Sequence, residues 1–435
     1  MRIAVWHNLP SGGGKRALYD QVCGLLSRGH HLEVWCPPTA NADYLPLNTV
    51  AREHVVDIGF NSLGNLSPLN PVRWNPASRL RAMDRHCRRC AEEINSRGFD
   101  LLFATACMFF RTTSIGRFTK IPSLIYLPEP CRSLYEALPE LPWPALHWMA
   151  KDWLDPAFCR NALIRRIKLH AIRVQAREER RNAMAFDDIL VNSLFSRESV
   201  LRAYGIDSKV CYLGVDTDKF VNRGDKREPI AVSIGALSIE KNVEFILTAL
   251  GKVPESIRPT LVWIANEVVP DYLEKVNRLA QRMRVRFDLR RRLRDSEVVE
   301  VLNRARVMLY APRLEPFGYA PLEANACGVP VVAVAEGGVR ETIQDGINGI
   351  LVEHDAEKMA NAIKDVVEND ELFSRLSREG RCLVQTKWAL SNSIDRLELR
   401  LQHTLSRLGA SGSHDNPTAQ KSNPHRESDH ELVLR

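Results

Sequence analysis

Apolar residues along this chain fall into short runs separated by turns and amphipathic stretches, and the rhythm occurs twice. Residues 2–6, Arg-Ile-Ala-Val-Trp, read as a buried first strand. Ser11-Gly12-Gly13-Gly14 reads as a turn. Residues 15–27 carry Ala17, Leu18, Val22, Leu25 and Leu26 at helical spacing, and Gly29 stops that helix. Residues 32–35 read as a second strand, so the chain opens as a doubly wound sheet does. Further strands are expected at 101–104, 124–126, 189–192 and 210–213. The stretch 222–229 is charged and aperiodic, a linker. The pattern then restarts, with strands expected at 230–234, 260–264, 307–310, 331–334 and 350–352 and a helix at 243–250. Residues 386–408 read as a last helix containing Trp388, Ile394, Leu397 and Leu401. Residues 409–435 are rich in Ser, Asn, His and charge and are expected to be disordered. The expectation is an α/β protein with two doubly wound, Rossmann-like domains facing a cleft. They span 1–222 and 223–385, the helix 386–408 returns to the first domain, and 409–435 is a tail.

Composition narrows this little. The 435 residues are too many for one ordinary core. A net charge of +7 suits an anionic ligand, an anionic membrane surface or nucleic acid. Most of the ten cysteines sit in apolar runs, as free thiols do in a reduced compartment. Residues 1–6 are too short for a secretory core, and no apolar run approaches the ~18 residues of a membrane span. A cytoplasmic protein is therefore expected. Cys87-x-x-Cys90 beside His86 has metal-like spacing but no second pair, so a basic helix with two thiols on one face is the better reading. In 143–181, Trp143, Trp148 and Trp153 precede a helix with Ile164, Ile167, Ala171 and Val174 on one side. Arg165, Arg166, Lys168, Arg173, Arg177, Arg180 and Arg181 line its other faces. That suits an anionic membrane surface at the inner face of a membrane. It equally suits a helix packed on the first domain with solvated cations, and the strand expected after Asp187-Asp188 favours packing.

The chemistry concentrates at Glu315-Pro-Phe-Gly-Tyr-Ala-Pro-Leu-Glu323, between two expected strands. Two carboxylates stand with seven residues between them. A cleft carboxylate accepts from two vicinal hydroxyls, and helix-start amides at Phe317 and Gly318 suit phosphate. Equally, Glu315 could cap that helix and Glu323 be solvated. Spacing alone leaves both readings open.

The neighbours resemble the family 4 retaining glycosyltransferases of GT-B fold. The residues are Glu315-Pro-Phe-Gly318, Leu322-Glu323-Ala324, Ala326-x-Gly328-x-Pro330-Val-Val, Gly337-Gly338-x-x-Glu341 and Asp345-Gly-x-Asn-Gly349. Gly12-Gly13-Gly14-Lys15-Arg16 is similar to the family's N-terminal glycine loop, and Lys15 and Arg16 add charge there or lie on a solvated helix face. The stretch from Ser233 through Gly235 to Lys241 resembles its phosphate-side loop, with Ala236 where arginine is usual. Tyr126-Leu-Pro-Glu129-Pro-Cys-Arg132-Ser-Leu-Tyr135 resembles its acceptor-side loop, without the histidine many members carry.

The resemblance implies a retaining hexosyltransferase with a nucleotide-sugar co-substrate, and because no Asp-x-Asp metal grip stands at a donor loop, metal independence and no further cofactor are expected. It implies that Glu315 holds the transferred sugar, Glu323 the ribose, and Lys241 the diphosphate. Gly12, Gly13, Gly14, Phe317, Gly318 and Leu322 complete donor binding. Glu129 orients the acceptor hydroxyl or takes its proton, or else belongs to a rigid turn. The expected acceptor is a saccharide or lipid-linked sugar in envelope polysaccharide or glycolipid synthesis, with no nucleic-acid partner. A nucleotide-sugar epimerase or hydrolase and a non-catalytic nucleotide-sugar binder remain alternatives. Residues 264–271 lack the Gly-x-Gly frequent in the family, which leaves the donor base unread.

Overall fold

A computed structural model describes residues 1–58, 76–137 and 155–411. Among the described residues, thirteen strands form two parallel sheets. The first comprises β1 (Arg2–Asn8), β2 (His31–Cys36), β3 (Arg52–Val55), β4 (Leu101–Cys107), β5 (Ser123–Tyr126), β6 (Asp188–Val191) and β7 (Lys209–Val210), in the order 3-2-1-4-5-6-7. The second comprises β8 (Ile230–Ile234), β9 (Thr260–Ala265), β10 (Phe287–Arg291), β11 (Val307–Tyr310), β12 (Val331–Val334) and β13 (Gly349–Val352), in the order 10-9-8-11-12-13. The strand order thus reverses at the same point in both, between β1 and β4 and between β8 and β11. At such a point the loops leaving the carboxyl ends diverge and open a crevice. The two sheets with their alternating helices make the α/β, GT-B-type fold expected from the sequence.

Two strands escape the sequence reading, and they hold equivalent places. β3, Arg-Glu-His-Val, and β10, Phe-Asp-Leu-Arg-Arg, are both sheet edges. One side of each faces no neighbour, so both carry charge where central strands carry Val, Ile and Leu. The central strands β1, β4 and β11 are buried almost throughout, as sheets covered on both faces require.

The second domain buries one face of its sheet on its own helices, Val243–Lys252 and Ala356–Glu368. The opposite face is continuous with the apolar core of the first domain. The chain then returns through the helix Asp370–Lys387 to the helix Leu390–Ser411, which packs on the helix Gly13–Ser27. Gly24 makes that contact possible, because a Cβ there would stand 2.5 Å from Ile394. Arg28 to Glu398 (2.7 Å) and Thr404 to Asp188 (2.6 Å) anchor the returning helix on the first domain. Of the expected tail, 409–435, residues 409–411 are the end of the last helix rather than disordered; 412–435, and Trp143, Trp148 and Trp153, lie outside the described residues. Among the described residues no helix is long and apolar enough to cross a membrane.

Candidate active site

The loops leaving β1, β5, β8 and β11 meet between the domains. Beyond β11 the chain turns through Leu314, a non-glycine residue at φ 49°, into Glu315. Lys241, from the loop after β8, donates from Nζ to Glu315 Oε2 at 2.7 Å. The Lys241 stem lies over Gly235, where a Cβ would meet it at 3.4 Å, and Gly235 itself is at φ 155°. The Arg313 amide donates to the Glu240 carbonyl at 3.0 Å, so the two loops are also joined through backbone. Burial pushes the Glu315 carboxyl up, but Lys241, Arg132 and the Tyr310 hydroxyl outweigh it and hold the group below its ordinary value. Glu315 is ionised at neutral pH, largely dehydrated, and ready to accept hydrogen bonds.

The backbone around Glu315 is fixed by absent side chains. The Gly338 amide donates to the Glu315 carbonyl at 2.8 Å. A Cβ on Gly337 would stand 2.3 Å from that same oxygen, and one on Gly338 would stand 2.0 Å from the Pro316 oxygen. Glu336 accepts from the Leu314 amide at 2.7 Å and from Arg313 at 3.0 Å. Gly318, at φ 91°, caps the helix Tyr319–Ala326. Among the described residues no side chain caps that helix, so its first amides are left for another acceptor. The Phe317 ring is buried among Tyr212, Tyr319 and Trp388. Leu322 is fully buried in the core, so any donor contact it makes is through backbone.

Glu323 lies at the bottom of the crevice, 5% exposed. Burial, with Asp295 and Asp20 adding to it, overrides the opposing pull of Arg16 and pushes its carboxyl up to about 7. Arg16 approaches Glu323 at 3.4 Å and donates to Asp295 at 3.0 Å. The Tyr319 hydroxyl stands 3.0 Å from Asp20, whose carboxyl burial pushes up to about 6. The sequence reading left Lys15 and Arg16 between phosphate binding and a solvated face. Both are in fact buried, Arg16 in this cross-domain cluster and Lys15, 1% exposed, beside Glu53 and Cys36. Gly12, Gly13 and Gly14 begin the helix Gly13–Ser27. A Cβ on Gly12 or Gly13 would meet nothing within 4 Å, so open space lies over both. Gly12 takes φ 135°, which side-chain-bearing residues rarely adopt. Ser11 touches Asn266 of the second domain at 3.2 Å.

From the first domain, Glu129 is engaged on both oxygens, by Arg111 at 3.0 Å and by Arg132 at 2.7 Å. Arg132 then crosses to the second domain and donates to the carbonyls of Arg313 (3.0 Å) and Leu314. In the opposite direction, Glu341 accepts from the amides of Leu194 (2.9 Å) and Phe195 (3.0 Å) and from the Tyr212 hydroxyl (2.9 Å). It thereby caps the first-domain helix Leu194–Tyr204, whose own cap residue Ser193 donates to the Pro316 carbonyl. Sequence reasoning quoted Arg132 and Glu341 only as parts of motifs. Their partners are 181 and 147 positions away, and no local spacing reports that. Cys87 and Cys90 are buried on the inner face of the helix Pro76–Ser96, and His86 contacts Trp6 and the Val56 carbonyl. The helical reading of that pair stands.

Residues 215–382 match the family described as glycosyl transferases group 1. Among curated relatives, the alpha-maltose-1-phosphate synthase of Mycobacterium tuberculosis is 28% identical over 240 residues, 48% of this chain and 62% of that protein. The D-inositol 3-phosphate glycosyltransferase of Xylanimonas cellulosilytica is 29% identical over 224 residues, 45% of this chain and 52% of that protein. The matched segment thus spans less than two thirds of these relatives. Among solved structures, sucrose-phosphate synthase from Thermosynechococcus elongatus superposes with a TM-score of 0.70 at 18% identity, covering 94% of this chain and 99% of that one. Anabaena HepE in complex with UDP and glucose superposes with a TM-score of 0.65 at 17% identity, covering 92% and 99%. Fold and matched segment define a GT-B protein. Over residues 215–382 the chain is similar to the group 1 glycosyltransferases.

Proposed function

We propose that this chain moves a sugar from a nucleotide-sugar donor to an acceptor hydroxyl, with retention at the anomeric carbon. The observation that carries the reading is the Lys241–Glu315 pair, set 2.7 Å apart at the switch point of the second sheet. The uncapped helix starts of Tyr319–Ala326 and Gly13–Ser27 support it. Glu315 accepts from the hydroxyls of the donor sugar. Lys241 trades part of its contact with Glu315 for the diphosphate and stabilises the charge that develops as the sugar leaves. The amides of Phe317 and Gly318, and the Gly12–Gly14 backbone from the other wall, add preorganised donors for the same charge. These groups already answer the charge of the leaving diphosphate, so no step needs a metal ion. Glu323, as carboxylate, accepts from the ribose hydroxyls. The HepE structures with UDP and UDP-glucose agree with such a donor.

The acceptor-side role falls on Arg132 and Glu129 in combination. Glu129 spends both oxygens on arginines, so it acts as the anchor of Arg132 rather than as a free base. The acceptor is a saccharide or a lipid-linked sugar, met at an anionic membrane surface. Support comes from the helix Pro156–Ala183. Its last turns are buried at Glu178, Glu179 and Asn182, while Leu163, Ile164 and Ile167 stay exposed among Arg160, Arg166 and Lys168. That is the composition of an interfacial helix.

The test is transfer from a panel of UDP-, GDP- and ADP-sugars to saccharide and lipid-linked acceptors, without added divalent cation. Transfer with retained configuration is expected. Binding of no donor, or a strict requirement for added magnesium or manganese, overturns the proposal.

A further inference from the structure

Away from the Glu315 crevice, the first domain holds a polar cluster at the ends of three neighbouring strands. His7 lies near the end of β1, Cys36 ends β2, and Glu53 lies in β3. The His7 ring is fully buried, and neither of its nitrogens makes a hydrogen bond among the described residues. A buried imidazole left in this state costs on the order of 1–3 kcal/mol. Its Nε2 stands 3.5 Å from Glu53 Oε1, and Cys36 Sγ stands 3.6 Å from the same oxygen. One atom from each residue lies within 4.8 Å of the other two. The 3.5 Å between His7 and Glu53 is long for a hydrogen bond to carboxylate, while the Cys36 thiol donates to Glu53 at 3.6 Å, an ordinary length for sulfur. Both separations also match the edges of a metal tetrahedron. Bonds of about 2.3 Å to sulfur and about 2.0–2.1 Å to nitrogen and oxygen, at tetrahedral angles, give edges of roughly 3.4 Å (N···O) and 3.6 Å (S···O).

We propose that His7, Cys36 and Glu53 bind one divalent metal ion of the zinc type, with a fourth position left to water. The donor set, one imidazole, one thiolate and one carboxylate, is borderline in softness and selects zinc over magnesium or calcium. The ion would tie the edge strand β3 to the centre of the sheet through β2 and β1. Binding releases the thiol proton to solvent as the Cys36–metal bond forms. Lys15, buried in the first turn of the helix Gly13–Ser27, balances the Glu53 charge in the metal-free protein. The ion therefore competes with a resident cation, which lowers affinity but does not block the ligands.

The test uses the full chain, purified without a histidine tag, stripped with chelator and titrated with cobalt(II). Expected are a thiolate-to-cobalt charge-transfer band and the visible bands of a four-coordinate ion, saturating at about one equivalent and displaced by zinc. Cys36→Ser should lose the charge-transfer band. Cys382→Ser, at an exposed thiol, should keep it. Absence of the band in the wild type, or its survival in Cys36→Ser, overturns the proposal. If His7→Ala does not fold, melting decides. Zinc should raise the Tm of the wild type and leave that of Cys36→Ser unmoved, and an equal rise in both also overturns the site.

Discussion

The two walls of the crevice stand on sheets of the same strand order, yet they are held in opposite ways. The second-domain wall is fixed by its own backbone. Glu315, the start of the helix Tyr319–Ala326 and Gly337-Gly338 lie within two dozen residues of one another, and a main-chain bond from Gly338 closes the turn. The first-domain wall is fixed by charged side chains that cross between domains: Arg132 to the Arg313 and Leu314 carbonyls, Arg16 to Asp295 and Glu323, and Glu341 returning to Leu194 and Phe195. A backbone-built wall keeps its geometry whether or not the domains close. A wall built from cross-domain ion pairs has its geometry only in the closed arrangement. Substitutions on the two sides should therefore fail differently.

The largest effects should come from the backbone-built wall. Glu315→Gln keeps the size of the side chain, removes the charge and breaks the pair with Lys241. Transfer should fall by ~10²–10³, the scale of losing one preorganised electrostatic contact, with Tm and nucleotide binding nearly unchanged. Steady-state kinetics beside a melting curve checks this, and wild-type turnover would remove Glu315 from the chemistry. Gly337→Ala should fail in the other manner. Its Cβ would collide with the Glu315 carbonyl at 2.3 Å, on a residue at φ 63°. A cost of about 2–4 kcal/mol is expected, read as a lower Tm together with lost activity. A variant that is inactive yet as stable as wild type would contradict the steric account.

This contrast also explains what the sequence made legible. The second-domain wall is contiguous, so its glycines, glutamates and flanking strands could be read in order along the chain. β3, Arg-Glu-His-Val, and β10, Phe-Asp-Leu-Arg-Arg, could not, because their charged residues leave no apolar run to read, whereas β13, Gly-Ile-Leu-Val, at the other edge of the second sheet, keeps one and was read. Arg132 and Glu341 were visible as residues but not as cross-domain contacts, since side chains that meet 181 and 147 positions apart leave no periodicity. The same reason separates Cys87-x-x-Cys90, a conspicuous spacing that proves to be two buried thiols on a helix, from His7, Cys36 and Glu53, whose proximity comes only from strand pairing. Lys15 and Arg16 sit where a helix start predicts solvent, and tertiary burial overrode that local expectation.

The side-chain-built wall should respond in a graded way. Arg132→Lys retains the charge but loses the planar fork that reaches two carbonyls at once. Activity should fall by roughly 10-fold, with Tm within a degree or two of wild type. Arg132→Ala should fall further, and added guanidinium should partly restore it. Equal rates for Arg132→Lys and wild type would mean that charge near Glu315 matters and the cross-domain contact does not.

The smallest effect is a pH dependence. The Glu323 carboxyl sits at about 7, above its ordinary 4.5. Ribose hydroxyls need it ionised, so the donor KM should rise several-fold as pH falls from 8 to 6, while kcat changes less. Arg16 is the cation opposing that upward push, so Arg16→Gln should move the rise in KM to higher pH. Stability runs the other way. Between the unfolded value near 4.5 and the folded value near 7, the folded protein holds the extra proton. Its stability therefore falls as pH increases through that window, and Asp20, raised from 3.8 to about 6, adds in the same sense. Glu323→Gln should flatten Tm between pH 6.5 and 8, leaving the Asp20 contribution below that, and abolish the pH dependence of donor KM together. Loss of one without the other would separate the ribose contact from the buried charge, and would show that the two walls meet at Glu323 for packing rather than for donor recognition.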